Sequence, residues 1–340
     1  MPLDPALRDR LAEPPLALGG APLGNLFRAL SEVDAHAVVQ RAWDLGVRCF
    51  DTAPHYGQGL SERRMGTVLR TLPREAFLLS TKVGRILTPD AAAPRDRHGY
   101  VDTLPYVQRY DYTADGVRRS LDDSLERLGL ARVDLVYVHD IDPTTHGVGH
   151  AARFRDMLDG ALPALASLER EGAIGGYGLG VNEVGICLDT LARADLGVIL
   201  LAGRYTLADQ EALAALLPEC ERRGVAVVLG GPFNSGILAS GAHPADGSTP
   251  YFNYAPAAPA IIDRVAAIER VCDAFGVPLK AAALQFPRAH PAITCVLAGA
   301  RSTSEIEENV RLARHPIPAA FWRALRDERL IDAASPLPAS

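Results

Sequence analysis

Eight short apolar runs recur along the chain, and amphipathic stretches of helical period separate them. The runs are Leu16–Gly20, Val47–Phe50, Phe77–Thr81, Val133–Val138, Tyr177–Val181, Val198–Ala202, Val225–Leu229 and Thr294–Ala298. They are continuously apolar rather than alternating, so each reads as a parallel strand covered on both faces. Between them, Ser31–Leu45, Ser61–Leu72, Ala114–Leu128, Leu162–Glu171, Val184–Ala194, Asp209–Arg223, Ala260–Phe275 and Ser304–Ala313 have helical period. Ser31 stands where an N-cap belongs, and Gly46 lies just past the helix it opens. Eight strands alternating with helices predict one (β/α)8 TIM-barrel domain over residues 1–340, with loose ends at about 1–14 and 331–340. A doubly wound sheet is the alternative. Against it, Gly19-Gly20-Ala21-Pro22-Leu23-Gly24 lacks the Gly-x-Gly-x-x-Gly pattern and puts Pro22 where a helix would start.

Two connections are long, Gly84–Tyr112 and Gly231–Pro259. Connections of this length at the C-terminal rim of a barrel build or cover a site.

Composition narrows the partners. With 340 residues, 48% of them apolar, the chain can bury a large core, and a net charge of −6 without a Lys/Arg run argues against nucleic acid. No apolar stretch reaches the roughly 18 residues of a membrane span, and Met1–Leu18 lacks the apolar core of a signal peptide. The five cysteines are scattered, with no CxxC, which suits a reducing compartment. The expected location is therefore the cytoplasm, the expected partner a small molecule, and the oligomeric state stays open.

Polar residues at strand ends supply the candidate chemistry. Asp51 follows the second run, Lys82 the third and His139 the fourth, and Tyr56 lies in the loop after Asp51. Singly, each has a bland reading as a cap, a solvated charge or a structural imidazole. Together they form a proton-transfer set. A phenol of ordinary pKa near 10 is a poor acid or base at pH 7, and an adjacent ammonium lowers that pKa. An aspartate fixes the ammonium, and an imidazole beside the phenol donates to a reacting oxygen. His139-Asp140-Ile141-Asp142 alone offers too few ligands for a metal, so none is expected.

Phe50-Asp51-Thr52-Ala53-Pro54-His55-Tyr56-Gly57, with Ser61-Glu62 and Gly66 beyond, resembles the signature of the aldo-keto reductases. Ser80-Thr81-Lys82, Asp134–His139, Gly180-Val181-Asn182-Glu183 and Ala298–Arg301 followed by Glu308-Asn309 resemble that family's later motifs, in its order. The resemblance implies that Tyr56 is the general acid or base, Lys82 its tuner, Asp51 the partner of Lys82, and His139 the group that orients the substrate oxygen. It also implies a nicotinamide dinucleotide bound without a Rossmann fold. Asn182 and Glu183 would hold the carboxamide, Gly231, Phe233, Asn234, Ser235 and Gly236 would fold over the pyrophosphate, and Gly20 would also contact the cofactor. Gly299, Arg301, Glu305, Glu308 and Asn309 would hold the adenosine end. Where relatives that prefer NADP carry Lys and Arg, this chain has Gly299 and Glu305. A carboxylate repels a 2′-phosphate, so NAD is expected over NADP, although Arg301 competes with that reading.

Within the family the chain resembles the D-threo-aldose (L-fucose) 1-dehydrogenase group. Its markers are Gly19–Leu26, Leu200–Thr206 and Phe233–Leu238. The implied reaction is oxidation of a sugar hemiacetal at C1 to a lactone. Alternatives are a pyridoxal 4-dehydrogenase, a general carbonyl reductase or a non-catalytic binding subunit. Asp140 beside His139 suits sugar hydroxyls, and His55 is a second candidate for substrate contact. Tyr100, Tyr106, Tyr110 and Tyr112 in the long loop either cover the sugar or pack the loop.

Overall fold

A computed structural model describes residues 2–13 and 16–338. Eight parallel strands close into a barrel, each paired with its neighbours in chain order. They are β1 (Ala17–Gly19), β2 (Cys49–Asp51), β3 (Leu78–Val83), β4 (Leu135–His139), β5 (Gly176–Val181), β6 (Val198–Ala202), β7 (Ala226–Gly230) and β8 (Ile293–Gly299). Every expected apolar run contributes a strand.

Helices form where the pattern expects them, and local chemistry explains their ends. Ser31 caps Glu32–Asp44 by accepting from the Asp34 amide, and Thr113 caps Ala114–Leu128 from Gly116. Gly129 closes the latter at φ +64°, a left-handed turn that costs glycine nothing. The stretch Asp209–Arg223 is α-helical only over Leu216–Arg223, preceded by a 3-10 turn at Glu211–Leu213, and Asp209 accepts from Arg204 (3.2 Å).

Inside the barrel a strand's period of two decides everything. Cys49, Leu78, Leu135, Tyr137, Val198, Leu200, Ala226, Val228, Cys295 and Leu297 form an apolar interior cluster. Two residues beyond Cys49 comes Asp51. Two beyond Leu78 comes Ser80, and two more bring Lys82. Two beyond Tyr137 comes His139. The polar groups therefore occupy the next inward positions at the C-terminal rim. On the other five strands the last inward positions are Gly19, Gly180, Ala202, Gly230 and Gly299, so three strands carry the reactive groups and the other five end in glycine or alanine.

The ends are more ordered than expected. Residues 5–12 form a helix, started by Asp4 accepting from the Leu7 amide, and Leu3 and Leu11 plug the N-terminal mouth of the barrel beside the interior cluster. At the other end Leu330, Ile331 and Ser335 are buried, and the Arg326 guanidinium donates to the Ser335 carbonyl (2.7 Å). The remaining terminal positions of those expected loose ends (1, 14, 339 and 340) lie outside the described residues. The connection after β3 is also structured: Arg85–Pro89 pairs antiparallel with Tyr106–Tyr110.

Candidate active site

Asp51, Lys82, Tyr56 and His139 meet at the rim. The Lys82 ammonium donates to Asp51 Oδ2 (2.6 Å) and to the Thr52 carbonyl (3.0 Å), and the Ser80 hydroxyl donates to Asp51 Oδ1 (2.7 Å). Lys82 Nζ lies 4.6 Å from the Tyr56 ring centre, and the His139 ring stands edge-on to the same ring, 6.0 Å between centres. Gly57 and Gly24 set the height of the Tyr56 loop by backbone contact. A Cβ on Gly57, whose φ is +66°, would lie 2.4 Å from the Gly24 carbonyl oxygen.

The electrostatics differ from the expectation in one respect. The Tyr56 phenol is held well above its usual pKa, first by burial and then by the charge of Asp51. An ammonium alone would lower it, but Asp51 cancels Lys82 at 2.6 Å. Burial, reinforced by Arg85 and Lys82, pushes the His139 imidazole well below its usual value, so it is neutral at pH 7. Burial raises the Asp51 carboxyl, while Lys82 and Ser80 pull it back.

Beside the quartet a cavity of about 380 Å³ is lined by His55, Tyr56, His98, Tyr100, Asp140 and Asn182, among others. Arg85 is 4% exposed and pairs with Asp140 Oδ2; it also donates to Gln108 (2.9 Å) and Tyr110 (3.0 Å). Asn182 Nδ2 reaches the other Asp140 oxygen at 3.4 Å. His55 Nδ1 faces the Gln108 amide at 2.8 Å, and burial followed by Arg85 keeps that imidazole neutral. Of the four tyrosines of the long loop only Tyr100 reaches the cavity, stacked on Tyr56 at 6.1 Å. Tyr106 accepts from Arg63, Tyr110 accepts from Arg85, and Tyr112 donates to the His139 carbonyl.

A longer cleft of about 900 Å³ runs on from Asp51 and Tyr56 past Gly20, Gly231, Phe233, Ser235 and Gly236 to Gly299, Arg301, Glu305 and Asn309. It fits a dinucleotide. Its floor is glycine backbone, its volume is in the range of cofactor sites, and two cations face its far half. One is Arg301, whose guanidinium donates to the Leu26 carbonyl (3.0 Å). The other is Lys280, which a reading of motifs missed because it lies outside them all. Lys82 and Lys280 are the two lysines of the chain, and both line this rim.

Three expected cofactor residues are turned elsewhere. Asn234 is 2% exposed, donates to the Gly203 carbonyl (3.0 Å) and accepts from the Thr206 hydroxyl, so its amide pins the loop. Glu183 lies outside the cleft, because alternation past β5 aims Asn182 inward and its neighbour out. Glu308 also faces away and pairs with Lys280 (2.5 Å). Glu305 lines the cleft, but one oxygen accepts from the Arg301 amide (2.8 Å) in a capping interaction.

Buried Lys82, Asp51 and His139 around the half-buried Tyr56 at a barrel rim, next to a glycine-floored cleft, are what a barrel oxidoreductase working with a dinucleotide needs. Residues 15–328 match the model of the Aldo/keto reductase family, and the chain belongs to that family. It is 44% identical over 327 residues to a pyridoxal 4-dehydrogenase of Microbacterium luteolum, covering 93% of this chain and 94% of the relative. It is 40% identical over 328 residues to a D-threo-aldose 1-dehydrogenase of a Pseudomonas species, covering 94% and 95%. In fold it is similar to a glycerol dehydrogenase from Gluconobacter oxydans, with TM-score 0.72 and 20% identity over 96% of this chain and 94% of that one. The protein is an oxidoreductase acting on small molecules with a nicotinamide cofactor. Among the described residues no helix is long and apolar enough to cross a membrane.

Proposed function

We propose that the enzyme oxidises the cyclic hemiacetal of an aldose of the L-fucose or D-threo type at C1, giving a lactone, with NAD preferred over NADP. The observation that carries the substrate reading is Asp140. Its carboxylate lines the cavity 3.4 Å from His139 Nε2 and is held by Arg85 and Asn182. An oriented carboxylate next to the reacting oxygen accepts hydrogen bonds from a polyol and offers nothing to an apolar carbonyl compound.

In this reading the anomeric hydroxyl sits between Tyr56 and His139. His139, neutral, donates its N–H to that oxygen. Tyr56, once deprotonated, takes the hydroxyl proton, and Lys82 and Asp51 fix the charge around the phenol. When bound, the nicotinamide supplies the hydride acceptor. Asn182 would hold it at the rim beside Asp140, and Gly231, Phe233, Ser235 and Gly236 would face its pyrophosphate. Gly299, Arg301, Glu305 and Asn309, with Lys280, would surround the adenosine. The Glu305 carboxylate in this half of the cleft supports NAD. All five cysteines are free and buried, which supports a cytoplasmic setting.

A second reading is oxidation of pyridoxal, favoured by the name of the 44% identical relative and by the aromatic rings of Tyr100 and Tyr254 on the cavity. One measurement separates them: kcat/KM for L-fucose, D-arabinose, L-galactose and pyridoxal, each with NAD⁺ and NADP⁺. The expectation is turnover of the sugars, faster with NAD⁺. Turnover of pyridoxal alone overturns the sugar reading, and a clear NADP⁺ preference overturns the cofactor reading. Tyr56→Phe is expected to abolish turnover while leaving cofactor binding intact.

A further inference from the structure

The long connection after β3 places one polar side chain over the cavity by a specific device. Arg97 and Tyr100 exchange backbone hydrogen bonds (2.8 and 2.9 Å), so His98 and Gly99 are the two central residues of a tight turn. Both have positive φ, +54° and +78°. That is the pattern of a type I′ hairpin turn, which asks for glycine, asparagine or aspartate and tolerates histidine at a cost. The turn is tied on both sides. The Phe27 amide donates to the Gly99 carbonyl (2.7 Å), the Val101 amide to Asn25 (3.1 Å), and the Leu104 amide to Gly57 (3.1 Å), next to Tyr56. Arg97 donates its guanidinium to the Leu104 carbonyl (3.0 Å). Tyr100, 4% exposed, packs beneath the turn on Tyr56 and edge-on to His55.

His98 therefore stands at the apex of a braced turn. Its ring is exposed, lines the cavity and lies 5.6 Å from the His55 ring, which is itself 5.8 Å from His139. His139 marks the reacting end, and His98 the mouth. We propose that His98 is a specificity-determining residue that hydrogen-bonds the polar group of the substrate farthest from the carbon being oxidised. Partial burial and the nearby Arg85 and Arg97 favour the neutral imidazole, which both donates and accepts and so suits a hydroxyl. The inference rests on the proposed hemiacetal oxidation for its choice of probes.

The test compares L-galactose with L-fucose, which lacks only the C6 hydroxyl, using NAD⁺ and the variants His98→Leu and His98→Gln. One lost hydrogen bond predicts that His98→Leu raises KM for L-galactose about five- to tenfold, with kcat and KM for NAD⁺ unchanged. The increase should be smaller for L-fucose, and His98→Gln should recover most of the loss. An unchanged sugar KM in His98→Leu, a fall in kcat alone, or equal loss in the Leu and Gln variants overturns the proposal. If the wild type oxidises pyridoxal and no sugar, the aldose reading falls separately. The His98 proposal is then decided by the same KM comparison on pyridoxal, whose ring nitrogen lies away from the reacting group.

Discussion

Tyr56 illustrates how far a residue's neighbours decide its chemistry. Its phenol sits beside Lys82, yet burial and Asp51 hold its pKa well above 10. Oxidation needs the phenolate as base, and a raised pKa keeps the phenol protonated at neutral pH. The base form is therefore gained as pH rises. The expectation is that kcat/KM for oxidation climbs about tenfold per pH unit on the alkaline side. The reverse reduction, which needs the phenol, should stay flat and fall only beyond the same pKa. His139 adds no alkaline limb, since its pKa is shifted the other way. A pH–rate profile from 6 to 10 checks this, and an oxidation rate that levels off near pH 7 would contradict it. Three of the four catalytic candidates were legible at this scale because Asp51, Lys82 and His139 are polar types at the ends of apolar runs, and Tyr56 was legible as the phenol in the loop that follows Asp51. Arg85 was not. It follows Lys82 closely with no pattern of its own, and only Asp140, Gln108 and Tyr110, brought to it by folding, give it a role.

At the scale of elements, the strands and most helices follow from periodicity, because periods of 2 and 3.6 are properties of the local backbone. What escaped was built from long-range pairing. The hairpin of Arg85–Pro89 and Tyr106–Tyr110 alternates buried with exposed residues only weakly. The helix Ala319–Asp327 lies beyond the eighth βα unit that the barrel pattern leads one to look for. The loop carrying Tyr56 is likewise a docking of two elements, with Gly24 against Gly57. Gly57→Ala would add a methyl group 2.4 Å from the Gly24 oxygen at a φ of +66°. Displacing the loop by about 1 Å is expected to lower kcat roughly 100-fold while NAD⁺ still binds. Steady-state kinetics with fluorescence titration of the cofactor checks it. Unchanged kcat would show that the loop absorbs the methyl group elsewhere.

For the whole molecule, the barrel separates stability from chemistry along its axis. The reactive rim is at the C-terminal end of the strands, whereas Leu3 and Leu11 close the opposite end against the interior cluster. Leu11→Asp would bury an unpaired carboxylate there. The expected result is a loss of about 3 kcal/mol in stability, read by urea denaturation, with kcat/KM of the folded enzyme within twofold of wild type. A matching fall in kcat/KM would show that the two ends are coupled. By itself the sequence determined the barrel, the family and the placing of Asp51, Lys82 and His139 at strand ends with Tyr56 in the loop after Asp51, because strand period and strand-end position are encoded locally. Tertiary structure alone decided which side chains face one another: Arg85 with Asp140, Lys280 with Glu308, Asn234 with Gly203 and Thr206, and His98 over His55. Those pairs join separate loops and helices, and their directions are set by how loops dock on the rim, which no local period specifies.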